Sequence, residues 1–336
     1  MRKCLAAFIT LLAITALVFS FYYYQFVSVP VINNNQCVHY LIQDGMTNRQ
    51  LANGLHQQGL VRHPKFFELI SRVEGKSRHL QAGEYQFSPG ATEQMILNNI
   101  ASGDVVKHLI TIIEGWTVQQ MLTAIKNDPD IVHTLNETTL KTLAQQLDIK
   151  QNNPEGWFFP DTYQFVRGTT DKDILERAYH RMQAELDSQW QQRAPNLGYH
   201  DAYQALIVAS MIVKEAKVAS ERPQIAGVIL QRLKKRMRLQ IDPTVIYGMG
   251  SAYTGKITRR DLRKKTPYNT YVHYGLPPTP IALPGKASLH AALHPDMTQA
   301  LYFVARGDGS HVFSDNLKAQ NQAVKRYILN KPNSTP

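Results

Sequence analysis

Cysteine is scarce in this sequence, and the usual patterns of metal, nucleotide and nucleic-acid sites are missing from it. Of the two cysteines, Cys4 lies at one end of a long apolar run and Cys37 lies beyond the other, so they cannot form a disulfide within one domain. The chain has no metal-ligand cluster, phosphate-cradling loop, zinc-finger spacing, RNP-like pattern or helix-turn-helix signature. We therefore expect no cofactor, no metal and no nucleic-acid partner, and a fold held by its apolar core.

Charged residues are missing between Lys3 and Asp44. Most of that stretch, from Cys4 to about Val27, is apolar and long enough to span a bilayer. The tyrosines at 22–24 lie where an aromatic belt belongs, and the basic residues before Cys4 mark the cytoplasmic side. A cleaved signal peptide is the alternative, but the run is longer than a usual signal core and no A-x-A site ends it. We expect residues 1–30 to be a short tail and an uncleaved anchor, with the rest outside the cytoplasm.

Acidic residues are outnumbered by basic ones, and the formal net charge is +11 with a pI of about 9.5. An exported basic protein can meet anionic lipid head groups or an acidic polymer. The densest basic run, residues 232–238, closes a predicted helix, where cations offset the helix dipole. It is more typical of a solvated helix end than of a binding patch. The roughly 300 residues after the anchor are enough for two ordinary domains.

A short pattern recurs between residues 38 and 125: an apolar strand end, a glycine turn, a threonine and an amphipathic helix. The copies run from Ile42 to Thr47, from Phe87 to Thr92 and from Ile112 to Thr117. Because threonine is a favoured N-cap, each copy predicts a strand followed by a helix. Such a unit resembles the LysM-type modules that hold N-acetyl sugar polymers, and we expect a LysM-like α/β module over residues 38–125. Alternatively, the pattern is simply favourable strand-to-helix chemistry.

One carboxylate lies where a helix would normally place a leucine. The helical neighbours of Glu215 are all apolar: Val208, Met211, Ile212, Val218 and Ala219. Burial on such a face raises the pKa of a carboxyl, and a glutamic acid protonated near neutral pH can act as a general acid. The alternative is an ordinary ion pair with Lys214 or Lys217. Glu221, one turn after Lys217, is expected to be an ordinary surface or helix-start acid.

Polar and aromatic residues are concentrated in three segments, residues 155–163, 239–248 and 266–271. Aromatic rings with carboxylates and hydroxyls suit sugars, although Trp157 and Phe159 could equally be core residues. The pattern around these segments predicts a helix over 171–190, a short helix capped by Ser288, a β-hairpin over 301–313 and a last helix over 315–330.

Ordered motifs run from the anchor to near the C-terminus: Glu114–Thr117, Glu155–Tyr163, Ala209–Glu215, Ala219–Arg222, Leu239–Gly250, Tyr268–Tyr271, Gly275–Pro278, Pro284–Ser288, Leu301–Val304 and His311–Phe313. Together they resemble the endolytic murein transglycosylases of the MltG or YceG-like family. The resemblance implies an α+β protein of the bacterial inner membrane with a single-pass anchor, and a mixed catalytic domain over residues 126–336 in the periplasm. It also implies an enzyme that cuts inside nascent peptidoglycan glycan strands, beside the synthases that polymerise them.

The resemblance matches Glu215 to the catalytic glutamate of the family and implies non-hydrolytic cleavage of the MurNAc-β-1,4-GlcNAc bond. Glu215 would protonate the leaving oxygen and then take the proton of the muramyl C6 hydroxyl, which closes onto C1 as a 1,6-anhydro end. The residues expected to line the sugar subsites are Gln240, Asp242, Thr244, Tyr247, Asn269 and Tyr271.

The chain departs from the family pattern at two places. Family members often have Glu-Lys-Glu where this sequence has Val213-Lys214-Glu215, which leaves Glu215 without a rival acid at that turn. They often have His-Asn where it has Gln320-Asn321, which leaves Gln320 without an assigned role.

Two other functions fit parts of the sequence. A hydrolytic muramidase would need a second carboxylate, with Asp242 or Asp161 as candidates. Asp242 lies in an Asp-Pro-Thr turn, however, where an aspartate commonly caps backbone amides. A non-enzymatic glycan-binding scaffold would use the LysM-like module alone, but a scaffold has no need of a buried acid.

Overall fold

The protein, seen here as a computed structural model that describes residues 2–135 and 139–329, divides into two compact units. Unit 1 comprises Met1–His108 and Gln164–Thr169, and unit 2 comprises Leu109–Tyr163 and Thr170–Pro336. Helices are combined with two-stranded sheets, so the α+β class predicted from the sequence is confirmed. The units divide after His108, whereas the sequence led us to expect a boundary after residue 125.

Unit 1 begins with α1 (Arg2–Ser28), whose stretch Leu5–Ser28 is long and apolar enough to cross a membrane. Most of its side chains are exposed, but Phe26 near its end is buried in the core of unit 1. By length and composition α1 fits the expected anchor, and its last turns are also part of the packed domain.

The rest of unit 1 has the order strand, helix, helix, strand, helix. The elements are β1 (Val38–Ile42), α2 (Asn48–Gln57), α3 (Pro64–Val73), β2 (Gly83–Phe87) and α4 (Glu93–Ser102). The two strands pair antiparallel, with Val38 opposite Phe87 and Ile42 opposite Gly83. Tyr85 and Phe87 point into a core shared with the helices, which bury Leu55 and Phe67. These apolar contacts hold unit 1 together.

Two strands pass through the boundary between the units, β3 (Lys107–Thr111) and β4 (Thr162–Val166), and they pair with each other. Unit 2 then contains helices α5 (Val118–Lys126), α6 (Leu140–Gln146), α7 (Asp171–Gln191), α8 (Ala202–Glu215), α9 (Arg222–Lys234), α10 (Asp242–Met249) and α11 (Lys286–Leu293). It ends with the hairpin β5 (Tyr302–Ala305) and β6 (His311–Ser314), and with α12 (Leu317–Val324). Helix α8 packs against α7, α9, α10 and α11 and is therefore the centre of unit 2.

The three threonine caps predicted from the repeated pattern are confirmed. Thr47, Thr92 and Thr117 are the N-caps of α2, α4 and α5, and each hydroxyl accepts a hydrogen bond from the backbone N–H three residues on. The third copy lies between β3 and α5, so its helix belongs to unit 2. A local cap pattern predicts where helices start, but it does not determine the unit in which they pack.

The other predicted elements of unit 2 are mostly found. The helix predicted over 171–190 is α7, and the predicted hairpin is β5 and β6. The last helix is α12, followed by one π-helical turn to Leu329, and the predicted end at residue 330 lies outside the described residues. The cap predicted at Ser288 is wrong, because α11 already begins at Lys286 with Gly285 as its N-cap.

The cap of α2 gives a direct test of this local structure. Thr47 is exposed and forms a capping box with Gln50, so its hydroxyl has no other role in the core. We expect Thr47→Ala to lower the free energy of unfolding of unit 1 by about 1 kcal/mol, measured by urea denaturation. The matched variant Thr47→Ser keeps the hydroxyl and should lose far less. Equal losses in both variants would contradict the cap.

Candidate active site

Glu215 is the last residue of α8, and the turns before it are buried. Val208, Met211 and Ile212, which precede it on the same helix face, are fully buried as the apolar pattern predicted. Because the carboxyl lies at the C-terminal end of the helix, the helix dipole disfavours its negative charge. The end of α8 is therefore an unfavourable place for an ionised acid.

The prediction that the helix continues beyond Glu215 is wrong. Ala216 leaves the helix with an extended backbone, and Val218 lies in the loop that follows. The apolar neighbours that the helical period assigned to the far side of Glu215 therefore do not cover it. After Glu215 the chain continues as a loop and a short 3-10 turn, and not as further turns of α8.

The Glu215 carboxyl has a raised pKa and forms no ion pair with a cation among the residues that the structure describes. Burial, and after it the negative charge of Asp242, raises the pKa of Glu215 to about 7. The side chain is half-buried by area, so dense protein around the carboxyl causes the shift while some contact with solvent remains. In the described part of the chain no ion pair joins Glu215 to a lysine, and the Lys214 ammonium donates to the Gly115 carbonyl oxygen at 3.1 Å. The geometry therefore does not support the ion-pair alternative.

Asp242, the first residue of α10, is the second acid at this site. Its side chain is exposed, and the Tyr271 hydroxyl donates to its Oδ1 at 2.5 Å. Burial, this hydrogen bond and the charges of Asp242 and Glu215 raise the pKa of Tyr271 far above its ordinary value, so Tyr271 remains a hydrogen-bond donor. The amide-capping role expected for Asp242 is wrong, because α10 has no side-chain cap bond at its start.

Asp161 has a different environment from Asp242. Its carboxylate pairs with Arg181 of α7 and also accepts a hydrogen bond from the backbone N–H of Thr162. Of the two second carboxylates proposed from the sequence, Asp242 is the one whose charge acts on Glu215.

Two predicted subsite residues are buried and occupied with backbone groups. Thr244 is fully buried, and its hydroxyl donates to the Ile241 carbonyl oxygen at 2.7 Å. Asn269 is 1% exposed, and its amide donates to the carbonyl oxygens of residues 261, 262 and 264. Both side chains therefore hold the backbone that presents Asp242 and Tyr271. That they line a sugar subsite stays a prediction.

Gln240 is exposed and has an unusual backbone. Its φ of 52° lies in the left-handed region, which is uncommon for a residue other than glycine. Its N–H donates to the Thr270 carbonyl oxygen, and the buried Arg232 lies 3.4 Å from its Oε1. The surrounding bonds hold this conformation, so the Gln240 side chain is presented at the surface just before α10.

Tyr247 leads to a buried acid that the sequence analysis did not identify. Glu155 is 1% exposed and accepts hydrogen bonds from the Val118 N–H at 3.0 Å and from the Tyr247 hydroxyl at 3.1 Å. Burial raises its pKa to about 7, although these hydrogen bonds and the charge of Lys214 act in the opposite direction. In the sequence, Glu155 stands close to Trp157 and Phe159, and an acid beside apolar side chains is the signal that could have identified it. Trp157 and Phe159 are core residues in the structure.

Glu114 holds two elements of unit 2 together. Its Oε1 accepts hydrogen bonds from the Gly285 N–H at 3.2 Å and from the Ser288 hydroxyl at 2.8 Å, and its Oε2 lies 3.4 Å from Arg222. A Cβ at position 285 would come within 2.9 Å of the Glu114 carboxyl carbon, so a side chain there would displace this carboxylate. Glu114 thus joins the start of α11 to the start of α9.

Glu221 lies at the N-cap position of α9, so the expectation of a helix-start acid is confirmed, but it is not an ordinary surface residue. Its carboxylate accepts a hydrogen bond from the His311 N–H at 2.9 Å and lies 2.7 Å from the ring nitrogen Nδ1 of His311, and both side chains are largely buried. Lys217 lies within the same loop but is not the partner. The pair fixes the loop after Glu215 to the first residue of β6, in the C-terminal hairpin.

The arrangement suits proton transfer. Glu215 can be protonated near neutral pH, give up its proton and take one back, while Asp242 and Tyr271 supply polar groups beside it. Within residues 2–135 and 139–329, no three His, Cys, Asp or Glu side chains are grouped to hold a metal. Fold and site are those of an α+β protein with a candidate acid/base group at the end of an apolar helix.

Comparison with known proteins then gives the family. The chain belongs to the YceG-like family, whose model matches residues 40–326. It is 32% identical over 308 residues to the endolytic murein transglycosylase of Bacillus subtilis (strain 168), covering 86% of this chain and 84% of that protein. It is 24% identical over 335 residues to the endolytic murein transglycosylase of Streptococcus pneumoniae D39, covering 90% of this chain but 60% of that protein.

A solved structure is similar as well. The crystal structure of a YceG-like protein from Listeria monocytogenes matches with a TM-score of 0.52 and 27% sequence identity. The match covers 86% of this chain and 99% of that one, so the likeness extends over most of both proteins.

The effect of Asp242 on Glu215 can be measured. Because the negative charge of Asp242 raises the pKa of Glu215, Asp242→Asn should lower that pKa and keep Glu215 protonated over a narrower range. The alkaline limb of kcat/KM against pH should therefore move to lower pH. Asp161→Asn, which removes a carboxylate paired with Arg181, should leave the limb in place. An unmoved limb in Asp242→Asn, or equal shifts in both variants, would refute the coupling.

Proposed function

We propose that this protein is an endolytic peptidoglycan lytic transglycosylase that cleaves the MurNAc-β-1,4-GlcNAc bond. The observation that carries the proposal is the Glu215 carboxyl, which has a pKa of about 7 and no cationic partner among the described residues. Its relatives with this name in Bacillus subtilis and Streptococcus pneumoniae support the same reaction class. Peptidoglycan strands are then the substrate and the enzyme is a lyase.

In the first step, protonated Glu215 gives its proton to the oxygen that links C1 of MurNAc to C4 of GlcNAc. The C1–O bond breaks, and the GlcNAc end leaves as an alcohol. In the second step, the Glu215 carboxylate takes the proton of the muramyl C6 hydroxyl while the C6 oxygen bonds to C1. Glu215 is protonated again, and no water is consumed. A pKa near 7 suits both steps because the group is close to half-protonated at neutral pH.

A hydrolytic muramidase is the competing reaction, and Asp242 is its candidate second carboxylate. Its Oδ1 accepts the short hydrogen bond from Tyr271, which fits a group that positions substrate and raises the pKa of Glu215. Gln240, Asp242 and Tyr271 are the predicted subsite residues that we retain for direct sugar contact. Tyr247 would act through Glu155.

We further propose a division of roles between the units. Unit 1, with its β1–α2–α3–β2 arrangement, would be a LysM-like glycan-holding module, and unit 2 the catalytic domain. Helix α1 would anchor the chain once in the inner membrane with both units in the periplasm, since Arg2 and Lys3 favour the cytoplasmic side. Strands emerging from peptidoglycan synthases would be cut there, which would limit their length.

The role of Glu215 is tested by Glu215→Gln, which keeps the shape of the side chain but cannot exchange the proton. We expect activity on glycan strands to fall by about 10²–10⁴-fold. Glu176→Gln, at an exposed site on α7, is the control and should stay active.

The same variant has an expected signature in stability. Because the folded pKa of about 7 exceeds the ordinary 4.5, the folded state binds more protons between these values, and wild-type stability falls as pH rises through that range. Glu215→Gln should therefore unfold at a higher temperature than wild type above pH 7, with the difference shrinking toward pH 5. Near-normal cleavage, or a variant destabilised at all pH values, would contradict the assignment.

The reaction type is tested by mass spectrometry of digested strands. The new ends should carry 1,6-anhydro-MurNAc and be one water lighter than hydrolysed ends, with cuts made away from strand ends. Asp242→Asn should slow this reaction but leave some turnover, because its role is positioning. If reducing-end MurNAc were the main product, and Asp242→Asn were as damaging as Glu215→Gln, the muramidase would replace the transglycosylase.

A further inference from the structure

Helix α3 carries an exposed apolar stripe in unit 1. Phe66, Leu69 and Val73 have the spacing i, i+3, i+7 and therefore lie along one side of the helix. Leu69 is 48% exposed and Val73 is 75% exposed, while Phe67 and Ile70 on an adjacent side are buried in the core. Because Phe67 and Ile70 already fill the contact between α3 and the core of unit 1, the exposed stripe can contact another apolar surface.

The stripe starts against α1, at the level of its tyrosines. The ring of Phe66 lies 5.6 Å from that of Phe19, 5.8 Å from that of Tyr22 and 5.9 Å from that of Phe26. The His63 ring, at the N-cap of α3, lies 4.7 Å from the Tyr22 ring. Tyrosines at the end of a membrane-spanning helix belong at the membrane–water interface. If α1 spans the bilayer, α3 therefore begins at the interface.

A polar clamp fixes α3 to the end of α1. The Arg62 guanidinium donates to the carbonyl oxygens of Val29 at 3.1 Å and of Pro30 at 2.5 Å, directly after α1. The Arg62 N–H donates to the buried Glu93 carboxylate at 2.9 Å, which also lies 3.7 Å from the guanidinium. Since Arg62 lies two residues before α3 begins, the two helices are joined by packing and not by a free linker.

Cationic side chains border the stripe. Lys65 and Arg72 are exposed, and they lie on the side of α3 next to Leu69. Arg72 also pairs with Glu68. Long basic side chains beside an apolar stripe can reach lipid phosphates while their stems lie along the acyl boundary.

We propose that α3 lies in the head-group region of the same bilayer that α1 spans, with Leu69 and Val73 in contact with lipid. The inference rests on the proposed anchor and not on the catalytic assignment. The occupant of the stripe is the lipid surface, because the stripe continues directly from the aromatic end of α1. Unit 1 is then held at a fixed height on the membrane by two helices, and a glycan bound to it stays close to the surface.

The test uses the full chain in nanodiscs of phosphatidylethanolamine and phosphatidylglycerol, one copy per disc. In a background with Cys4→Ser and Cys37→Ser, single labelling sites are made by Leu69→Cys, Val73→Cys, Leu12→Cys and Gln57→Cys. Each carries a polarity-sensitive fluorophore, quenched either by nitroxide-bearing lipids or by iodide in the water. Leu12 reports the anchor itself, and Gln57 is an exposed control on α2.

We expect labels at 69 and 73 to emit at shorter wavelength than the label at 57, and to be quenched several-fold more by lipid nitroxide near the head groups. If lipid quenched the label at position 12 while iodide quenched the labels at positions 69 and 73, α1 would be an anchor but α3 would not lie in the head-group region. Absence of lipid quenching at 12 would remove the anchor and the inference with it. Protection of 69 and 73 from both quenchers, seen only in discs with two copies, would assign the stripe to self-association instead.

Discussion

The site depends on a carboxyl group, that of Glu215, which dense protein surrounds without supplying a cation to pair with it among the described residues. An ionised carboxylate loses hydration on burial, and a nearby ammonium would normally restore the balance as an ion pair. Here the adjacent lysine, Lys214, is directed to the Gly115 carbonyl oxygen, and the charge that shifts the pKa of Glu215 is the negative one of Asp242. Both effects favour the protonated acid. The resulting pKa of about 7 is what a group needs to donate and recover a proton in one catalytic cycle.

Three other glutamates of unit 2 differ from Glu215 in that backbone groups bind their carboxylates. Glu114, Glu155 and Glu221 each accept a hydrogen bond from a backbone N–H, and each joins segments far apart in sequence. Their bonds fix the start of α11, the start of α5 and the start of β6. These three carboxylates thus hold the loops of unit 2, whereas Glu215, the proposed catalytic acid, accepts no backbone hydrogen bond from the residues that the structure describes. Hydrogen bonding, more than burial, separates these three acids from Glu215.

Unit 1 shows how an anchor and a folded domain are made continuous. Phe26 is buried in the core of unit 1, and Arg62 binds the two carbonyl groups that follow α1. If α1 spans a membrane as proposed, the packed rings and the guanidinium clamp would determine the height of unit 1 above it, which a flexible linker would leave undetermined. For an enzyme whose proposed substrate emerges at the membrane surface, this limits the distance that the strand must travel.

The sequence by itself determined the features that depend on short-range order. The apolar run of α1, the threonine caps of α2, α4 and α5, and the apolar turns before Glu215 are all local patterns, and each was found. The candidate acid also followed from local pattern, because an acid on an apolar helix face stands out in one dimension.

Only the tertiary structure decided which polar residues face the site. Thr244 and Asn269 have the composition of sugar ligands, but long-range packing turns them toward backbone groups. The helix end at Glu215, the burial of Glu155 under Tyr247 and the pairing of Glu221 with His311 also arise from contacts between residues far apart in the chain. Helical period and residue type carry no information about such partners, since a hydrogen bond between distant segments exists only once the core has brought them together.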